Sequence, residues 1–128
     1  MKKYKKQVIA KVEELVGSGQ LLEADKICKE LYSIFKYDVD VLNANAVVDF
    51  SLNNVERSLE FLTISYVLND KDFETLYNIA NVLEYKNRLK DCLYFYNLAN
   101  NSCVNKDLKF IIEEKINTLN QKLSNASI

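Results

Sequence analysis

Apolar residues recur three or four positions apart through most of the chain, and nowhere do apolar and polar residues alternate over a sustained stretch. The pattern predicts helices and no strands. Seven helices are expected, near residues 4–17, 21–35, 39–52, 55–69, 73–86, 89–102 and 107–123. Asp38, Asp72 and Asp107 precede the third, fifth and seventh, where a carboxylate accepts hydrogen bonds from the unpaired first amides of a helix. Leu76, Ile79, Ala80 and Leu83 share one face of the fifth helix, and Cys92, Tyr96 and Ala99 form the matching face of the sixth. The segment from Asp107 gathers Leu108, Ile111, Ile112, Ile116, Leu119 and Leu123 on one side, with Lys, Glu and Asn on the other. It reads as a solubilising cap with a polar outer surface.

A longer period overlies the helical one. Ala24, Ser58 and Cys92 stand 34 residues apart, each five residues after a turn residue, Gly19, Asn53 or Asn87. Asparagine can take the left-handed conformation that glycine takes, because its short side chain bonds locally. Leu21, Val55 and Leu89 open the second helix of each unit, and Ile27, Phe61 and Phe95 follow at equivalent places. A 34-residue period is the length of a helix–turn–helix repeat in which a small residue marks the crossing of the paired helices.

The composition is that of a soluble domain: 128 residues, 48% hydrophobic, 27% charged, with a net charge of -1. That balance gives no electrostatic footprint for nucleic acid or an anionic membrane, so neither is an expected partner. The basic start, Lys2, Lys3, Lys5 and Lys6, is read as solvated, and the segment after it is broken by Lys11, Glu13 and Glu14, which is not a signal-peptide core. No apolar run reaches the roughly 18 to 20 residues of a membrane span. A cytoplasmic setting is therefore expected. Lys, Asn, Ile and Tyr are abundant, with arginine only at positions 57 and 88, a bias that points to an AT-rich bacterial genome.

Three cysteines without a CxxC pair, and no histidine, argue against a disulfide framework or a metal site. Cys28 and Cys92 lie in apolar helical patterns and are expected to be buried, with Cys103 the more exposed thiol. No nucleophile with an evident base and no glycine-rich phosphate loop is present, so no enzyme activity, catalytic residue or cofactor is expected.

At these positions the chain resembles the tetratricopeptide repeat family, whose pattern is W-x2-L-G-x2-Y, then A-x3-F, then a late Ala and Pro. The resemblance covers three units, about 5–38, 39–72 and 73–106, plus the capping helix 107–123, in one domain over 1–128. In the third unit Leu76 stands for the Trp, Ile79 for the Leu, Ala80 for the Gly, Leu83 for the Tyr, Cys92 for the Ala, Tyr96 for the Phe and Ala99 for the late Ala. The family proline is replaced by Lys36, Asp70 and Val104. In the first two units Lys11 and Asn45 fall where the family has Leu, and Asp49 where it has Tyr, so strict register would bury polar groups. A one-residue shift of the first helix avoids this, placing Val12 and Val16, and likewise Ala46 and Phe50, in the core.

The resemblance implies an all-α superhelix of antiparallel helices that binds a peptide or helix of a partner protein in a concave groove lined by the first helices. Carried onto this chain, the groove candidates are Ile9, Glu13 and Val16, then Asn43, Val47 and Phe50, then Tyr77, Asn81, Glu84 and Tyr85. Tyr77, Asn81 and Tyr85 share one helix face, where amide groups can bond a backbone while tyrosines cover side chains. The Lys, Asn and Arg clamp that holds acidic C-terminal tails in some members is replaced by Ile9, Glu13, Ala44, Glu74 and Asn78, so such tails are disfavoured. The alternative role is a helical array beside a larger bacterial enzyme such as a glycosyltransferase, serving assembly or acceptor positioning. Self-association through an edge or the final helix is a third option, with Tyr32 and Tyr66, also 34 residues apart, as candidates.

Overall fold

The computed structural model describes residues 2–126. Among them the chain forms seven helices and no strand: α1 (Lys2–Gly17), α2 (Leu21–Ile34), α3 (Val39–Ser51), α4 (Val55–Leu68), α5 (Phe73–Tyr85), α6 (Leu89–Ser102) and α7 (Lys106–Ala126). The fold is all-α, as the periodicity predicts.

One turn is used three times. Gly19, Asn53 and Asn87 all have positive φ, at 79°, 67° and 61°. Their amides donate to Val16, Phe50 and Glu84, while the next amides, of Gln20, Asn54 and Arg88, donate one residue further back to Leu15, Asp49 and Leu83. This paired pattern closes the last carbonyls of the first helix and needs a left-handed residue at its centre. It also pins each first helix to its turn, so the helix cannot slide by one residue without breaking both bonds.

The register correction follows from that turn. In α3 the strict-register residues Asn45 (0% exposed), Ala46 (1%) and Asp49 (0%) are all buried, whereas Phe50 is only half-buried. The one-residue shift expected for the second unit is therefore overturned. The polar groups are accommodated instead. The Asn45 amide donates to the carbonyls of Cys28 at 3.1 Å and Val41 at 3.0 Å, and Asp49 lies against Lys29 and Arg57. The cost is not fully offset, since Asn45 Oδ1 is buried with no hydrogen-bond partner. In α1, Val12 and Leu15 are buried and Lys11 is exposed.

Asp38 and Asp72 cap their helices as expected, accepting from the amides of Val41 at 3.1 Å and Thr75 at 3.0 Å. Asp107 does not. The loop before α7 is one residue shorter than the two before it, and Asn105 Oδ1 accepts from the Leu108 amide at 3.0 Å. Asp107 instead lies in the first turn, where its charge still complements the helix dipole.

The helices fall into two compact units, Met1–Asn69 and Asp70–Ile128. In the first, α1 packs on α2, α2 on α3 and α3 on α4, and α1 also meets α3. Its core joins Val12, Leu15, Ala24, Cys28, Ala44 and Val48. Ser58 takes its place in the small-residue column by donating its hydroxyl to the Ala46 carbonyl at 2.7 Å, so close approach of α3 and α4 leaves no hydroxyl unpaired. Tyr32 packs edge-on against Phe61, with ring centroids 5.1 Å apart, a contact between second helices. In the second unit α5 packs on α6 and α6 on α7, around Ala80, Cys92, Tyr96, Ile112 and Leu119.

Candidate interaction faces on the first helices

In the first unit, Ile9 and Val16 of α1 are half-buried and pack against the core, while Glu13 of the same helix is exposed. Asn43 of α3 departs from its expected role. It is fully buried, and its amide donates to the Val39 carbonyl at 2.9 Å and to Ser65 Oγ at 3.3 Å, so it is a packing residue and not open to a peptide. Val47, one turn on, is 37% exposed, and Phe50 is half-buried. Lys5 of α1 reaches the cap of α3, 2.8 Å from Asp38 and 3.2 Å from Asp40. The hydrogen bond to Asp38 raises the Lys5 pKa against the opposing effect of its partial burial.

In the second unit, Tyr77 of α5 is half-buried, stacked on Phe73 at 5.7 Å and edge-on to Tyr96 at 6.0 Å. The polar members of the expected stripe are turned inward. The Tyr96 hydroxyl of α6 lies 2.7 Å from Asn81 Oδ1 and 2.8 Å from Glu84 Oε1, and Lys115 of α7 reaches the same Glu84 oxygen at 3.3 Å. The Lys115 ammonium also stands over the Tyr96 ring, 5.5 Å from its centroid. Asn81 is thus engaged with the protein itself, contrary to the expectation that it is available to a bound backbone. Tyr85 is 61% exposed.

Four side chains from three helices therefore meet on one hydroxyl. Burial of Tyr96, and then its hydrogen bond to Glu84, push its ionisation upward, so it remains a neutral donor. The periodicity placed Tyr96 as a ring in the core but carries no signal for its oxygen. The partners of that oxygen come from α5 and α7 and are brought together only by packing.

Burial also pushes the Cys28 thiol up to about 12 and the Cys92 thiol up to about 11, which leaves both as small apolar groups at helix crossings. Cys103 is half-buried. Among the described residues no group of acidic or sulfur ligands is arranged to hold a metal ion, and no helix is long and apolar enough to cross a membrane.

Paired helices built on one 34-residue plan, joined by one repeated turn and crossing at a small residue, define a protein of the tetratricopeptide type. Within that class, the chain belongs to the coatomer epsilon subunit family, whose model matches residues 7–115. No curated protein matches the sequence. Several solved structures share the fold. The type III secretion chaperone SycD of Yersinia enterocolitica, in complex with a peptide of the translocator YopD, superposes with a TM-score of 0.79 at 16% identity, over 91% of this chain and 92% of that one. The Sgt2 TPR domain of Aspergillus fumigatus gives 0.82 at 12% identity, over 97% and 82%. The first TPR domain of Spaghetti (RPAP3), bound to the HSP90 peptide SRMEEVD, gives 0.80 at 13% identity, over 94% and 93%.

Proposed function

We propose that this protein is a non-enzymatic interaction module that binds a segment of a partner protein on the faces of its first helices. The observation that carries the reading is that α3 and α5 keep Val47 and Tyr85 in solvent, beside half-buried Phe50 and Tyr77, where a packing role alone would bury them. Apolar and aromatic area on rigid helices suits recognition at low entropic cost. The peptide complexes of SycD and RPAP3 support it as fold-level likenesses.

The segment bound is not an acidic C-terminal tail of the SRMEEVD kind. Ile9, Glu13, Ala44, Glu74 and Asn78 occupy the clamp positions, Ala44 is buried, and Glu13 and Glu74 would repel a carboxylate. The test is photo-crosslinking in the native host from a probe placed at Tyr85, followed by affinity measurement with the partner segment it identifies. Tyr85→Ala combined with Tyr77→Ala should weaken that segment about tenfold or more. Unchanged affinity in both variants would overturn the assignment.

A further inference from the structure

The cap of α7 sets its register against the other first helices. Asn105 bonds the amide three residues on, as Asp38 and Asp72 do, so positions counted from these caps are equivalent. Ile112 then aligns with Asn45 and Ile79, and all three are buried. By the same count Phe110 aligns with Asn43 and Tyr77, Glu114 with Val47 and Asn81, and Asn117 with Phe50 and Glu84. These are the positions of the interaction faces. A polar outer surface was expected of α7, yet Phe110 is 63% exposed and Ile111 44%.

The charges beside Phe110 are mainly of one sign. Asp107, three residues before it, and Glu113 and Glu114 after it are exposed, with Lys106 the exposed ammonium on that turn. Lys115 is occupied with Glu84, the bridge that ties α7 to α5. A second copy meeting this face antiparallel about Phe110 would set Lys106 against Glu114 but Asp107 against Glu113. Attraction and repulsion would then cancel. A segment bearing Lys or Arg meets no such conflict.

Resting on the interaction reading above, we propose that α7 is part of the binding surface: Phe110 and Glu114 continue the face begun by Tyr77 and Tyr85 of α5, and take a partner segment that offers an apolar side chain flanked by lysine or arginine. The partner is then a basic, apolar stretch of another protein.

The probes are two fluorescein-labelled synthetic peptides of alternating residues, one of Leu and Lys, the other of Leu and Glu, titrated by anisotropy against the intact 128-residue chain. The Leu/Lys peptide should bind and the Leu/Glu peptide should not. Phe110→Ala should weaken the Leu/Lys peptide about tenfold, and Glu114→Lys should weaken it and confer binding of the Leu/Glu peptide. Both positions are solvent-exposed, so the variants should keep the helical circular dichroism of the parent. Sensitivity to Tyr77→Ala with indifference to Phe110→Ala and Glu114→Lys overturns the role of α7 while leaving the interaction reading standing. Equal binding of the two peptides, or no binding of either, overturns the charge preference. Concentration-dependent dimerisation lost in Phe110→Ala assigns the face to a second copy and overturns the proposal.

Discussion

Lys29 of α2 holds its ammonium 3.4 Å from both carboxylate oxygens of Asp49 of α3, whose side chain is 1% exposed. The same ammonium is 2.6 Å from Asp25 and lies over the Phe61 ring. Arg57 approaches Asp49 only to 3.9 Å, so Lys29 is the nearer compensation for a carboxylate withdrawn from water. Lys29→Met should cost about 3 kcal/mol in urea unfolding, because it strands that charge. Adding Asp49→Leu should recover most of the loss. A double variant no more stable than Lys29→Met would show that the lysine acts by packing alone.

Tyr96 should show a pH signature. Its ordinary pKa of 10.0 is raised in the fold, so between pH 10 and its folded value the unfolded chain gives up the phenolic proton while the folded chain keeps it. Stability is thus fully present below pH 10 and falls as pH rises above it. Tyr96→Phe should cost about 1 kcal/mol at pH 7, a modest value because Glu84 can be solvated, and should flatten the alkaline decline. Urea midpoints measured from pH 7 to 11 check both; equal alkaline slopes for parent and variant would remove Tyr96 from the account.

The three left-handed turns separate backbone from side-chain effects. Asn53→Ala and Asn87→Ala should each cost about 1 kcal/mol, since alanine is strained at positive φ. Asn53→Gly should be neutral or slightly stabilising. Gly19→Ala should cost about as much as Asn53→Ala, and because a Cβ at Gly19 meets nothing within 4 Å, the loss would be conformational and not steric. Thermal unfolding of the four variants distinguishes these outcomes.

Thiol reactivity should be selective. With Cys28 raised to about 12 and Cys92 to about 11, both fully buried, a disulfide reagent at pH 8 should label Cys103 alone in the native state and all three cysteines in denaturant. Rapid native labelling of Cys92 would mean that the α5–α6 crossing opens readily.

The seven helices, their boundaries to within a few residues and the small-residue crossings could be read from the sequence. Helix periodicity and turn residues are local signals, and the 34-residue spacing repeats them. The cap at α7 could not be read this way, because both Asn105 and Asp107 can cap and only the length of the loop after Ser102 selects between them. The candidate faces were legible as positions but not as chemistry. Tyr85 and Val47 stand in solvent as their spacing suggests, whereas Asn43 and Asn81 are taken up by Ser65 and Tyr96, partners 22 and 15 residues away in the chain.

The sequence by itself determined that this chain is a helical repeat, because helix period, turn chemistry and repeat length all act within one 34-residue unit. Only the tertiary structure decided which polar residues of the first helices are buried and which meet solvent. Asp49 is buried because Lys29 reaches it from another helix. Asn81 is occupied because the Tyr96 hydroxyl is buried beside it. Phe110 is exposed because a loop shortened by one residue turns α7 to bury Ile112 in its place.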